Sequence, residues 1–159
     1  MSNFELKGVD ELRARLKQLS GEEAAKAFKS ATGAGAKVIR EAAIANVQAL
    51  NDPATPEDIS KNIVQRPVPK KYNRRGDMKV RVGVLGGAAA PKGNGSIRTS
   101  GKKPLPGGDT YYWRFLEFGT QKVAARPFLR PAMDKGQAVV DAFANRLGKR
   151  MDGLIKGRK

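Results

Sequence analysis

A long row of small apolar residues between Glu22 and Leu50 constrains the fold more than any other feature of the sequence. The residues recur at spacings that alternate between three and four, as on one face of an α-helix. The row comprises Phe28, Ala31, Gly35, Val38, Ala42, Ala45 and Ala49. Small side chains let another element approach closely, most of all near Gly33 and Gly35. We expect a core helix over 22–50; a helix that faces a partner is the alternative.

Other segments also show a regular period. Residues 9–19 repeat apolar side chains at helical spacing, and another helix is expected to begin at Pro131, where the missing N–H of proline costs little. The apolar face of that C-terminal helix comprises Val140, Phe143, Leu147, Met151 and Leu154. Residues 78–84 alternate at period two, which predicts a strand with one buried face. The neighbours of Val64 can supply the strand that pairs with it.

Residues 86–109 are rich in glycine and proline and hold Ile97 and Leu105 as their only large apolar side chains. Such a stretch buries too little apolar area to offset its ordering entropy, so we expect a mobile loop. The loop carries a basic arm that comprises Lys92, Arg98, Lys102 and Lys103. It is either a solvated tether or an arm that orders against a neighbouring subunit or nucleic acid. Residues 1–159 are expected to form a single domain, which includes the mobile basic loop 86–109 and a frayed tail at 157–159.

Cysteine and histidine are both absent from the chain. Their absence excludes disulfides, thiolate nucleophiles, Ser-His-Asp triads and the common zinc sites. Asp109 and Glu117 flank the aromatic segment, but no second motif supports them as an acid–base pair. We therefore expect no enzyme, no catalytic residue, no cofactor and no metal. No apolar run approaches the ~20 residues that span a bilayer, so we expect no membrane partner. The first residues do not resemble a signal peptide, so we expect assembly in a cytoplasm.

The net charge is +16, and it is unevenly distributed. Residues 70–103 carry +9 and residues 122–159 carry +7, whereas residues 1–69 are nearly balanced. Clusters of lysine and arginine bind phosphates through counterion release. Sequence-independent nucleic-acid binding through 70–103 and 122–159 is therefore one candidate function. No stacking platform of aromatic residues and no helix-turn-helix pattern accompanies these clusters.

The segment 112–132, here called the corner, combines aromatic residues with a glycine and two prolines. Its aromatic spacing fits a helix or a strand, and we favour a short helix that Gly119 ends. Glu117 is a carboxylate surrounded by aromatic residues, so it needs a cationic or hydrogen-bonding partner. Arg114, Arg126 and Arg130 are all within reach. The corner either contacts a partner or only orders the core. The candidate contact residues are Tyr112, Phe115, Glu117, Phe118, Gly119, Thr120, Pro127, Phe128, Leu129, Arg130 and Pro131.

Two runs within the corner resemble the signature of tail-component proteins of long-tailed bacteriophages. They are Tyr112-Trp-Arg-Phe-Leu-Glu-Phe-Gly-Thr120 and Ala125-Arg-Pro-Phe-Leu-Arg-Pro-Ala132. The opening Gly8-Val-Asp-Glu-Leu and the alanine-rich helix agree with that family more loosely. The family often has Thr-Gly-x-Leu-x-x-Ser-Ile after this helix, whereas this chain has Thr55-Pro-Glu-Asp-Ile-Ser-Lys-Asn-Ile63, so the chain departs from the family pattern there.

The resemblance implies a neck or tail-completion protein that forms a ring at the junction between the DNA-filled head and the tail. It implies a homo-oligomer, with a hexamer as the first expectation and a dodecamer as the alternative. The implied partners are the neighbouring connector and the tail-terminator or tail-tube proteins, with non-specific contact to packaged DNA as a further expectation. The implied fold is α+β: a small antiparallel sheet packed by the long alanine-rich helix and the C-terminal helix.

Overall fold

A computed structural model of the chain describes residues 21–50, 54–69, 77–85 and 105–156. The described residues form helices, two strands and one 3-10 turn. In chain order these are α1 (Gly21–Gln48), α2 (Ile59–Asn62), β1 (Ile63–Pro67), β2 (Val80–Val84), α3 (Trp113–Phe118), α4 (Leu129–Ala132), the 3-10 turn Met133–Lys135 and α5 (Gly136–Lys156). This order confirms the α+β prediction. The predictions for 9–19, for the basic arm and for the tail 157–159 lie outside the described residues.

The two strands form an antiparallel pair. At one end the Val68 N–H donates to the Lys79 carbonyl over 2.8 Å, and at the other the Leu85 N–H donates to the Asn62 carbonyl over 2.9 Å. These bonds fix a register in which β1 and β2 pair along their whole lengths. Both parts of the strand prediction are thus confirmed, although β2 begins at Val80 and not at residue 78.

The described residues divide into two compact units, which are described separately. The helix unit contains those within 21–36, 67–80 and 136–156, and the sheet unit contains those within 37–66 and 81–135. The expectation of a single domain stays a prediction.

The helix unit has a core built on the small residues of α1. Ala27 and Ala31 are buried against Leu147 and Met151 of α5, and the Phe28 and Phe143 rings lie 6.2 Å apart between centroids. The approach is closest at Gly35, where an added Cβ would lie 3.1 Å from Val139 Cγ1. The predicted core helix is therefore confirmed. The expected close contact is found at Gly35 but not at Gly33, where an added Cβ would meet no atom within 4 Å.

The sheet unit buries the second half of α1 against both strands and the corner. Its fully enclosed side chains belong to Ala43, Val47, Ile59, Ile63, Phe128 and Ala132. Val82, Val84, Trp113, Leu116 and Leu129 pack around them. The C-terminal helical region begins earlier than predicted and in pieces, because α4 and the 3-10 turn precede α5, and Pro131 lies inside α4. Within the described parts of the chain, none of the helices is long and apolar enough to cross a membrane.

Candidate functional site

The centre of the corner is the carboxylate of Glu117, which α3 carries into the sheet unit with 1% of its surface exposed. Its Oε2 accepts hydrogen bonds from the backbone N–H groups of Phe128 and Leu129, at 2.8 and 2.9 Å. Its Oε1 accepts from the Arg130 N–H at 2.9 Å and from Arg130 Nε at 3.3 Å. The first N–H groups of a helix have no partner within the helix, so this carboxylate caps α4 from a distant part of the chain.

Arg130 is the partner of Glu117 among the three arginines that the sequence left open. Besides its Nε contact, its Nη2 donates to the Glu117 carbonyl oxygen. The guanidinium carbon also lies 5.5 Å from the centre of the Phe118 ring, within the range of a cation–π contact. One arginine thereby connects the start of α4 with the end of α3.

The hydrogen bonds to Glu117 decide its charge. Burial alone would raise the pKa of this carboxyl, but the N–H groups of Phe128, Leu129 and Arg130, together with the Arg130 side chain, outweigh burial and hold the pKa below its ordinary value. Glu117 is therefore ionised at neutral pH. An ionised carboxylate that accepts four hydrogen bonds is a structural clamp and has no free lone pair directed at solvent for acid–base chemistry.

A tight turn leads away from α3 at Gly119, as the sequence predicts. Gly119 has a φ of 75°, and a Cβ at this position would lie 2.9 Å from the Ala125 nitrogen. Thr120 closes the turn, since its Oγ1 accepts from the Val123 N–H at 3.0 Å and its own N–H donates to the Val123 carbonyl at 2.8 Å. The Arg126 N–H then returns to the Leu116 carbonyl at 2.7 Å. The turn is held at both ends by backbone bonds.

The corner leaves an apolar edge exposed. Phe115 and Phe118 are 50% and 62% exposed, and Val123 is 54% exposed. All residues from Thr120 to Pro127 are exposed, and so are Arg130 and Pro131. Large apolar side chains at this exposure, carried by a backbone that is already ordered, form a surface suited to a protein partner. We call Phe115, Phe118 and Val123 with the turn 119–127 the corner surface.

Two candidate contact residues do not belong to that surface. Phe128 has no exposed area and Glu117 is buried, and their role in contact with a partner stays a prediction. The Phe128 ring packs inside the sheet-unit core, and the Asn46 side chain donates to the Phe128 carbonyl over 3.0 Å. Tyr112 and Leu129 are half-buried against the same core.

Burial raises the pKa of the Tyr112 hydroxyl, and the nearby carboxylates of Glu57 and Asp58 add to the shift.

Sequence reasoning missed a second buried polar group, the side chain of Asn62. Its Oδ1 accepts from the Gly107 N–H at 2.9 Å, and its Nδ2 donates to Thr110 Oγ1 at 2.8 Å and to the Gly108 carbonyl at 3.0 Å. A Cβ on Gly107 would lie 1.9 Å from the Asp58 carbonyl oxygen, so only glycine fits there. No local pattern could reveal this group, because its members lie 45 to 48 residues apart.

The Asn62 group limits the mobile-loop expectation. Residues 105–109 are held against α2, and Leu105 is 8% exposed, so this part of the predicted 86–109 loop is ordered. The Leu85 N–H also bonds to the Asn62 carbonyl. Leu85, before the segment 86–104, and Gly107, after it, thus both donate a hydrogen bond to Asn62. The basic-arm residues Lys92, Arg98, Lys102 and Lys103 lie outside the described residues.

Asp58 caps α2 in the same region. Its Oδ1 accepts from the Ser60 hydroxyl at 2.6 Å and from the Ser60 N–H at 2.9 Å. The Ser60 hydroxyl, with the Ser60 N–H and Lys61, lowers the pKa of Asp58 in spite of partial burial. Among the described residues no group of three or more acidic, histidine or cysteine side chains could hold a metal ion.

The sequence of residues 10–119 matches the model of a protein family, HK97-gp10-like, which carries the description "Bacteriophage HK97-gp10, putative tail-component". The match covers more than half of the chain and includes α1, both strands, α3 and Gly119. It ends before the second run of the corner, 125–132. No curated protein and no solved structure matches the chain.

Proposed function

This chain belongs to the HK97-gp10-like family of bacteriophage tail components, and from that premise we propose that it forms a ring at the head–tail junction. In that position it joins the DNA-filled head to the tail around the DNA channel, as a neck or tail-completion protein. A phage tail component is a structural protein of the virion. The ring and its position are our proposal; the family supports a place in the phage tail, and the geometry of the corner supports a contact between subunits.

The observation that carries the proposal is the pairing of a buried clamp with an exposed apolar edge. Four hydrogen bonds to Glu117 fix the path between α3 and α4. Phe115 and Phe118 project from that fixed path and are at least half exposed. A pre-ordered surface loses little conformational entropy when it binds, so its apolar area contributes more fully to affinity.

A ring follows if this surface meets a different surface on the next copy. A repeated heterologous contact gives a closed ring when its rotation closes, and otherwise an open filament. We propose six copies as the first choice and twelve as the alternative, with the connector on one side and tail-terminator or tail-tube proteins on the other. We further propose that the basic arm reaches a neighbouring subunit.

Exchange of an exposed aromatic residue of the corner surface tests the proposal directly. We expect Phe118→Ser, and separately Phe115→Ser, to yield tailless heads and free tails when a phage that lacks this gene is complemented with the variant. The matched control is Met78→Ser, which changes a residue of similar exposure outside the corner. Electron micrographs of particles, with a count of tailed and tailless heads, provide the measurement.

The variants must stay folded for the comparison to hold. Phe118 is 62% exposed and its contact with Arg130 is worth about 1 kcal/mol at most, so we expect little loss of stability. Circular dichroism checks this point. Normal tailed particles from both corner variants, or an equal defect from Met78→Ser, would contradict the assigned contact. Locating this chain away from the head–tail joint in an image of the virion would contradict the proposed position.

A further inference from the structure

A half-open cleft of about 710 Å³ lies on the helix unit between α1 and α5. Three of its side chains are cationic and one is acidic. The lining comprises Glu23, Lys26, Ala27, Lys29, Ser30, Arg150 and Leu154. It is separate from the corner, all of whose residues belong to the sheet unit.

The cleft has an excess of positive charge that its own carboxylate does not balance. Lys26 pairs with Glu22 at 2.7 Å, but both side chains are more than 70% exposed, and such pairs contribute little. The structure records no ion pair between Lys29 or Arg150 and any described residue. A fourth cation stands at the edge, because Arg146 Nε donates to the lining hydroxyl Ser30 Oγ at 2.9 Å.

The positive charge continues along α5 beyond the cleft. Arg146, Lys149, Arg150 and Lys156 fall within eleven residues of helix that also hold Asp152, and the first and last are about 15 Å apart along the axis at 1.5 Å per residue. Arg146 and Arg150 are four residues apart and lie on the same side of α5, about 6 Å apart along the helix axis. One strand of DNA carries a phosphate every ~3.4 Å of helix axis, so this spacing corresponds to about two phosphate steps.

The cleft has none of the side chains that read bases. Its lining contains no aromatic residue for stacking, since Phe28 and Phe143 pack against each other in the core of the helix unit. It also contains no asparagine or glutamine for base edges. Lysine, arginine and serine side chains are the usual donors to phosphate oxygens.

We propose that the cleft between α1 and α5 binds the phosphate backbone of double-stranded DNA without reading its sequence. Lys29 and Arg150 neutralise phosphates in the cleft, and Arg146 with Ser30 extends the contact at its edge. An acidic protein segment is disfavoured as the ligand. Its backbone N–H groups would need acceptors, and Glu23 is the one carboxylate in the lining of the cleft. This site is independent of the corner surface and of the proposed ring.

Binding of a fluorescent 20-base-pair duplex of arbitrary sequence, followed by anisotropy between 50 and 200 mM salt, tests the site. The test variant is Lys29→Gln with Arg150→Gln. The control, Lys122→Gln with Arg126→Gln, removes the same charge from exposed residues of the corner. We expect the test variant to bind about tenfold more weakly at 100 mM salt and to lose ~2 from the salt slope, because each lost phosphate contact removes about 1. The control should change affinity less than about threefold, as expected for a loss of long-range field alone.

An equal loss in both variants, or no binding by the unmodified protein at 50 mM salt, would overturn the site. A polyglutamate peptide of equal charge provides a second arm. If it binds more tightly than the duplex and also depends on Lys29 and Arg150, the ligand is an acidic protein and the DNA proposal fails. Lys29→Gln alone serves if the double variant unfolds. Lys29 is exposed and has no recorded contact with the described residues, and a loss of about threefold is expected from that single change.

Discussion

The interior of the helix unit and the interior of the sheet unit are stabilised by different kinds of contact. In the helix unit the buried side chains are apolar and mostly small on α1, and the Arg146–Ser30 hydrogen bond lies at the surface. In the sheet unit Glu117, Asn62 and Thr110 are almost completely buried and each has hydrogen-bond partners. One unit depends on shape and volume, and the other depends on buried polar groups in fixed positions.

This difference indicates which unit can present a precisely shaped surface. A buried polar group that finds all its partners accepts few alternative arrangements, because every alternative leaves a donor or acceptor unpaired. The sheet unit is therefore the better support for a defined protein contact, and its corner carries the exposed apolar edge. A phosphate backbone needs positive charge more than exact shape, and the cleft of the helix unit brings Lys29 and Arg150 together.

The largest effect should come from Glu117→Gln, which removes the charge at the centre of the sheet unit. The amide keeps one acceptor oxygen but turns an NH₂ group towards N–H donors. We expect a loss of about 3 kcal/mol in the free energy of unfolding, in the range for breaking a buried charged network. Trp113 is the single tryptophan of the chain and packs beside the sheet-unit core, so its fluorescence during urea unfolding measures the effect where it arises.

The control for that change is Glu41→Gln. Glu41 pairs with Lys37 at 3.4 Å, and both side chains are mostly exposed. Exposed pairs of this kind contribute less than about 1 kcal/mol, so the urea midpoint should barely move. Equal effects from the two substitutions would show that buried polar contacts do not distinguish the sheet unit.

Acid should weaken the sheet unit by a smaller amount. The pKa values of Glu117 and Asp58 are both lowered, so the folded state holds their protons less tightly than the unfolded state. Their contribution is present above the ordinary values, 4.5 for Glu117 and 3.8 for Asp58, and is lost as the pH falls through the lower folded values. Urea midpoints from Trp113 fluorescence should therefore decline from about pH 5 to pH 3. The decline should be shallower in Glu117→Gln, and an equal slope in both proteins would contradict the role of Glu117.

The sequence was sufficient for the parts of the fold that depend on local period. The stripe in α1, the alternation in β2 and the glycine after α3 each follow from backbone geometry, and all three predictions are confirmed. The pairing of β1 with β2 also followed, since few other apolar runs were available. The break between α4 and α5 could not be predicted from the sequence, because Pro131 is compatible with several positions in the first turns of a helix.

The candidate site was predictable only in outline. A carboxylate among aromatic residues needs hydrogen-bond donors, and this rule identified Glu117 and three candidate arginine partners. The backbone N–H donors of residues 128–130 could not be predicted, because their positions depend on the path of the turn. The burial of Phe128 was missed because two flanking prolines suggested display, whereas the core of the sheet unit needed a large side chain there. Lys26 and Lys29 were missed for another reason. They belong to a segment with little net charge, and only the packing of α1 on α5 brings them beside Arg150.

The smallest effects should come from two glycines of α1, and they test whether volume governs the helix unit. Gly33→Ala adds a Cβ that meets no atom within 4 Å, so the gain in helix propensity should stabilise the protein by about 1 kcal/mol. Gly35→Ala has the same propensity gain, but its Cβ would lie 3.1 Å from Val139 Cγ1 and 3.3 Å from the Val139 carbonyl. Crowding against α5 costs about 1–3 kcal/mol and should outweigh the gain. Thermal unfolding followed by circular dichroism should move in opposite directions for the two variants. Equal stabilisation by both would mean that α5 does not lie this close to α1, and the cleft between these helices would then lose its geometric basis.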